Sequence, residues 1–376
     1  MPYPQRIAKM LITLATVICA GAATLSQSGQ LGKPFTPRPE WRPTHTVKGG
    51  KYIGDQACSR CHDQGEKQPS TPMGRALEKG SDCQILKAHP LLTFTSGPWK
   101  YEIARRGNQV SYTVTDGKQT ISVPLIYAVG QGKAGQTYVL ERNGKYYESR
   151  VSYFNAVGGL DYTLGAPREP AANIDEAFGR LLDSIETRDC IACHSSTSVV
   201  EGKLNLETMI PGINCEGCHG PGGEHVELMK APKKSGDKGI MNPGHFDNEG
   251  MTQYCGSCHR TWAQVQQMPH ARGMVNVRFQ PYRIFSSKCY DFDDRRIGCT
   301  SCHDPHDSGR KAASFYDSKC QACHSSGGEK KLPLCRAGKT SGCVSCHMPE
   351  YEIPGSHHKF TDHRIRVVKP GEAYPN

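Results

Sequence analysis

Seven times along this 376-residue chain, two cysteines stand three apart with a histidine directly after the second. The sets are Cys58-Cys61-His62, Cys190-Cys193-His194, Cys215-Cys218-His219, Cys255-Cys258-His259, Cys299-Cys302-His303, Cys320-Cys323-His324 and Cys343-Cys346-His347, here motifs 1 to 7. Two thiols at this spacing reach the two vinyl groups of one porphyrin and form thioethers. The adjacent imidazole then sits under the iron as its proximal ligand. A lone C-x-x-C can be a redox dithiol or half of a zinc site, but neither needs a histidine in the same place seven times. The repeat predicts seven covalently bound c-type haems, with His62, His194, His219, His259, His303, His324 and His347 as proximal ligands.

Each iron then needs a second axial ligand. Of the 16 histidines, those outside the motifs are His45, His89, His225, His245, His270, His306, His357, His358 and His363. His306 follows His303 by three residues, and His225 follows His219 by six. A histidine so close starts on the proximal side of its own haem and is expected to ligate a neighbouring one. His45 lies in a linker and is not expected to bind. His357 and His358 are adjacent, so one of them, His358, is taken as the candidate. For the first haem the alternatives are His89 and Met73, and the histidine surplus favours His89.

The elements that must carry these groups fall into segments. Residues 1–22 read as a signal peptide: Arg6 and Lys9 are basic, Met10–Leu25 is apolar and uncharged, and Ala20-Gly21-Ala22 fits a small-x-small cleavage site. That apolar run is short for a stable span, and the mature chain is expected to have no transmembrane span. Residues 23–50 form a Pro/Gly-rich linker, and 51–91 hold the first haem segment with a short helix around Met73–Glu78. Residues 92–165 carry no motif. Tyr101 and Ile103, then Val110, Tyr112 and Val114, then Ile121, Val123 and Leu125 alternate with polar residues, separated by turn signals such as Asp116-Gly117 and Asn143-Gly144. An antiparallel meander of about five or six strands is expected. A helix over 173–188, capped by Asn173 with Glu176, should lead into motif 2. Residues 166–366 form a six-haem array, and 367–376 a tail. The fold class expected is a mainly α and irregular multihaem array with an inserted antiparallel β meander. Three cysteines, Cys83, Cys289 and Cys335, lie outside the motifs in the mature chain, and Cys289 with Cys335 is the expected disulfide.

Composition agrees with a core filled by something other than side chains. Leu, Ile, Val and Phe number 65 of 376, and only 25 of the 174 residues from Cys190 to His363. A content below about 20% is in the range of disordered chains, and several apolar haem discs would replace the missing side chains. The formal charge is +10. Basic residues are read as partners for haem propionates, and nucleic-acid binding is set aside.

The ordered stretches YIGDQACSRCH with TPMGRAL, CEGCHGPGGEH, MNPGHF, CTSCHDPH and CVSCHMPE followed by HHKFTDHRI resemble the multihaem cytochromes related to cytochrome c-554, pentahaem nitrite reductase and hydroxylamine oxidoreductase. The nearest likeness is to bacterial members often fused to tetratricopeptide repeats. The resemblance runs over residues 51–366 and implies distal ligand roles for His225, His245, His306 and His363. The C-x-x-C-K motif of pentahaem nitrite reductase is missing, which speaks against that chemistry. The expected function is an exported heptahaem cytochrome, periplasmic or extracellular after signal-peptide cleavage, acting as an electron-transfer conduit with redox proteins as partners. No catalytic residue stands out, and the reading leans away from an enzyme. The alternatives are a multihaem oxidoreductase of nitrogen or sulfur oxyanions, which would need an open iron position, and a self-associating subunit of an extracellular cytochrome polymer. A pyridine haemochrome assay on quantified protein should return seven haems per chain; five or fewer would refute the assignment.

Overall fold

Alternation of large apolar and polar residues between positions 99 and 115 is realised as two long paired strands. In the computed structural model, which describes residues 43–231, 236, 238–268, 271–307, 311–325, 332–369 and 371–375, these belong to an eight-stranded antiparallel sheet. The strands are β1 (Leu77–Lys79), β2 (Leu91–Ser96), β3 (Trp99–Arg106), β4 (Gln109–Thr115), β5 (Thr120–Val129), β6 (Thr137–Arg142), β7 (Lys145–Ser149), β8 (Val151–Phe154), β9 (Gly159–Tyr162) and β10 (Gly179–Leu181). The sheet order is β10-β7-β6-β5-β4-β3-β2, with β1 on the second half of β5, while β8 and β9 form a separate hairpin. The expected signal peptide, most of the expected linker and His270 lie outside the described residues.

Register follows from the turns. Arg142 pairs with Lys145, leaving a two-residue loop in which Asn143 and Gly144 have φ of 54° and 71°. Positive φ at both positions is what a type I′ hairpin requires, and Asn-Gly supplies it at low cost. Pairing of Tyr101 with Val114 and of Ile103 with Tyr112 then puts the large residues on one face. Trp99, Tyr101, Ile103, Tyr112, Val114, Leu140 and Phe178 are buried there in one cluster. The opposite face, at Leu77, Tyr127 and Val139, packs on Ile191 and Met209. Ile191 lies inside motif 2, so the sheet is the seat of that motif.

Four expectations are corrected. The chain is not mainly α: helices take 32% and strands 23% of the structure. The sheet recruits β1 and β10 from outside the 92–165 segment, and the motif helices are short. The helix expected over 173–188 is two helices, Ile174–Phe178 and Ser184–His194. Between them Gly179, at φ 152°, turns the chain into β10, where an added Cβ would lie 2.3 Å from the Glu148 carbonyl oxygen. Asn173 caps the first helix as expected, and Asp183 with Glu186 forms a full capping box on the second. Met73–Glu78 is not helical; the chain turns and enters β1. Nor is there a disulfide among the described residues: Cys83, Cys289 and Cys335 are all free thiols, Cys83 being buried against Gln136.

Tyr101 is 1% exposed, its hydroxyl lacks a hydrogen-bond partner, and burial pushes its pKa up from 10.0 to about 12. A raised folded-state pKa stabilises fully below pH 10, and that stabilisation is lost as the pH rises towards 12. Tyr101→Phe removes both the orphan hydroxyl and the titration. Stability at neutral pH should be unchanged or higher, and alkaline unfolding followed by far-ultraviolet circular dichroism should move to higher pH.

Candidate functional site

Each motif lies on or beside a short helix, where residues three apart share a face. The helices are Asp55–Cys58, Ser184–His194, Cys215–His219, Asn248–His259, Cys299–Cys302, Ala313–His324 and Cys343–His347. Several have side-chain caps that set where the motif begins. The Gly217 N–H donates to Asn214 Oδ1, and the Gly250 N–H to Asp247 Oδ1.

The imidazoles are held by one ring nitrogen. Nδ1 of His194 bonds the Ala76 carbonyl at 3.2 Å, His219 that of Met241 at 2.9 Å, His324 that of Pro333 at 3.0 Å and His347 that of Arg366 at 2.8 Å. Two non-motif histidines do the same: His225 Nδ1 bonds Lys238 O at 2.7 Å and His363 Nδ1 bonds Thr361 O at 3.0 Å. Nδ1 of His306 faces the Asp304 carboxylate at 3.4 Å. A donating Nδ1–H fixes the tautomer and leaves the Nε2 lone pair for a metal. Desolvation favours that neutral form, lowering the pKa values of His194, His219, His259 and His303, and taking His363 down to about 4.

Three pairs of rings face one another. His62 and His225 have centroids 6.2 Å apart, His219 and His306 6.2 Å at an interplanar angle of 13°, and His303 and His363 6.1 Å. Two imidazoles on opposite faces of one metal, each through a bond of about 2 Å, put their centroids roughly 6 Å apart. These pairs are too far apart for direct stacking contact and fit a shared iron. Each joins a motif histidine to a non-motif histidine, so the donor set fits two-imidazole haem ligation.

The other candidates are placed differently. His89 Nε2 bonds the Tyr153 hydroxyl at 3.1 Å, and its ring packs on that tyrosine. His45 is exposed, its Nδ1 at 3.0 Å from Thr44 Oγ1. His245 is exposed, with Asn242 Nδ2 at 3.4 Å from its Nε2. His357 donates through Nε2 to Asp161 at 2.7 Å, and the His358 ring packs edge-on against Phe360. Met73 lies in the turn before β1, its carbonyl accepting from Ile213 N–H.

Motifs also meet one another. The Cys58 thiol lies against Cys215, Cys255 against Cys299, Cys320 against Cys343, and Cys193 against Cys258. This brings motif 1 beside 3, 4 beside 5, 6 beside 7, and 2 beside 4. The Tyr254 hydroxyl donates to the Cys218 carbonyl, joining motif 4 to motif 3. Burial pushes the Cys190 and Cys218 thiols up to about 11.

Sequence reasoning missed the polar side chains that hold this arrangement. Arg283 and Asp362 form an ion pair 1% and 0% exposed, with Arg283 Nε to Asp362 Oδ1 at 2.8 Å and Nη2 to Oδ2 at 2.9 Å. Arg366 Nη1 adds a bond to Asp362 Oδ2 at 2.7 Å. Asp362 directly precedes His363, so this network fixes the backbone from which His363 faces His303. Nothing in the sequence marked it, because the partners are 79 residues apart.

A family model described as cytochrome c554 and c-prime matches residues 164–220. Cytochrome c-554 of Nitrosomonas europaea is 32% identical over a match covering 20% of this chain and 37% of that protein. The multihaem cytochrome MtrA of Shewanella baltica is 24% identical, over 44% of this chain and 60% of that protein. The chain thus spans less than two thirds of the length of either relative. No solved structure matches.

Arg283→Ala would leave the buried Asp362 carboxylate with only Arg366 as a cationic partner, beside the Arg364 N–H. Breaking a buried pair in this way costs about 3–5 kcal/mol, and chemical unfolding should show a loss of that size.

Proposed function

We propose that this chain, a relative of the multihaem c-type cytochromes, is an exported heptahaem electron-transfer conduit. The observation that carries the reading is the set of three opposed imidazole pairs. In each, an iron held between the two rings would have protein side chains on both sides, leaving no place there for substrate. When bound, haem supplies a one-electron iron couple whose potential depends on the axial ligands and their surroundings.

The residues divide the work as follows. The fourteen motif cysteines would hold the haems covalently, and the seven motif histidines would ligate the irons from the attachment side. His225 would ligate together with His62, His306 with His219 and His363 with His303. The first haem is therefore served by His225, six residues beyond His219, and neither His89 nor Met73 is needed there. The Nδ1–carbonyl bonds of His194, His219, His225, His324, His347 and His363 hold those rings in the tautomer that would ligate, which reduces rearrangement on a change of charge. Contacts between motifs 1 and 3, 3 and 4, 2 and 4, 4 and 5, 5 and 6 (Cys302 near Cys320) and 6 and 7 support a connected array, as a carrier of electrons over distance requires. The eight-stranded sheet is its scaffold, with motif 2 on one face.

Export is supported by the basic and apolar N-terminal pattern of Arg6, Lys9 and Met10–Leu25. Among the described residues no helix is long and apolar enough to cross a membrane.

Replacing His225 by Ala in the holoprotein should create a high-spin ferric signal in electron paramagnetic resonance, while His89→Ala should leave the low-spin spectrum unchanged. The opposite pattern would overturn the assignment at the first haem. Sustained turnover of nitrite, hydroxylamine or tetrathionate by the wild type, at about one per second or more, would overturn the conduit.

A further inference from the structure

Motifs 1 and 6 share a feature that motifs 2, 3, 4, 5 and 7 lack: an aspartate three residues before the first cysteine, Asp55 and Asp317. Both point across to another motif. Asp55 Oδ1 accepts from the Cys215 N–H at 2.9 Å, across 160 residues of sequence. Asp317, 5% exposed, accepts from the Cys343 N–H through Oδ1 and from the Gly342 N–H through Oδ2, both at 2.8 Å. In each case the N–H belongs to the first cysteine of the partner motif. That cysteine is also the first residue of its helix, where the amide has no partner within the helix.

We propose that Asp55 and Asp317 are positioning residues that lock motif 1 to motif 3 and motif 6 to motif 7, setting the mutual orientation of the paired haems. The inference rests on the haem-binding reading above.

Other contacts at the same joints agree. Glu216, 1% exposed, returns the clamp from motif 3 to motif 1, accepting from the Ile53 N–H at 2.9 Å and the Gly54 N–H at 2.8 Å. It also accepts from the Gly222 N–H at 2.9 Å, three residues before His225. At the joint of motifs 4 and 5, Thr252 occupies the position three before Cys255 and lies against the Cys299 thiol. Asn248 Nδ2 there donates to the Ile297 carbonyl at 3.2 Å. A carboxylate suits the two aspartate joints because it accepts at both oxygens and leaves no donor facing a backbone N–H.

The two aspartates differ in a way that makes the proposal testable. Asp55 accepts one backbone N–H, through Oδ1, and its contact to the Cys215 thiol ends once that sulfur is a thioether, so Asp55→Asn keeps the backbone bond. Asp317 uses both, so Asp317→Asn must turn an NH2 group towards an N–H and lose one. The holoproteins D55N, D55A, D317N and D317A would be compared by haemochrome content, by amide exchange at Cys215 and at Gly342–Cys343, and by the Soret circular dichroism couplet that haems at fixed mutual angles produce. D55N should match wild type. D55A, D317A and D317N should each lose protection at the partner amide and show an altered couplet at full haem content. An unchanged couplet in D55A and D317A, or D55N perturbed as far as D55A, would overturn the proposal. Should the alanine variants fail to mature, the contrast between a normal D55N and an altered D317N still decides, and no contrast refutes. Low haem content in the wild type would count against the haem reading itself, a result distinct from failure of the clamp.

Discussion

Three pairs of imidazoles face each other across about the distance that two metal–nitrogen bonds demand, and the rest of the motif-bearing region is organised to keep them there. The region from Cys190 to His363 has few large apolar residues, so hydrophobic burial between side chains alone gives it little driving force. Side chains that span its segments are mostly polar. They act on backbone groups near the cysteines and histidines: Nδ1 on carbonyls, Glu216 and the aspartates on amide N–H groups, and Arg283 on Asp362. On the proposed reading, the covalently held haem discs supply the apolar interior that the sequence omits.

The sheet obeys the opposite economy. Trp99, Tyr101, Tyr112, Tyr138 and Phe178 bury large aromatic surfaces in one cluster, and ring pairs such as Tyr112–Phe178 and Tyr147–Phe178 meet edge to face. This unit carries its own core without a cofactor. Its second face, through Leu77 and Tyr127 against Ile191, turns that stability into a platform for motif 2. The Ala76 carbonyl beside β1 then receives Nδ1 of His194. A strand terminus thereby orients an imidazole.

Crossing of sequence separations is the common physical theme. His62 meets His225, Asp55 meets Cys215, and Arg283 meets Asp362. Each closes a long loop, whose entropic cost grows only slowly with length. Closure by a directional bond at a defined atom restrains both distance and angle, and an array of closely spaced redox groups needs both. Buried ionic and polar clamps contribute little net stability compared with apolar packing, but removing one partner is expensive, so they enforce a particular arrangement.

The sequence alone pointed to an attachment chemistry, because thioether formation and proximal ligation would be local: Cys-x-x-Cys-His contains every protein atom they would need. It also made the hairpins legible, since Asn143-Gly144 dictates its turn and a period of two dictates a face. It marked His225, His306 and His363 as ligand candidates from their spacing and the resemblance. The tertiary structure decided which histidine faces which, because that depends on how segments far apart in the sequence, as with His62 and His225, are laid together. It put His225 opposite His62, and gave His89 to Tyr153. It also decided the helix content and the break at Gly179, where a cross-strand partner at Ser149 outweighed a helical pattern. Pairing energy between distant segments leaves no periodic trace in either one, and this is why the motifs could be read along the line while their partnerships could not.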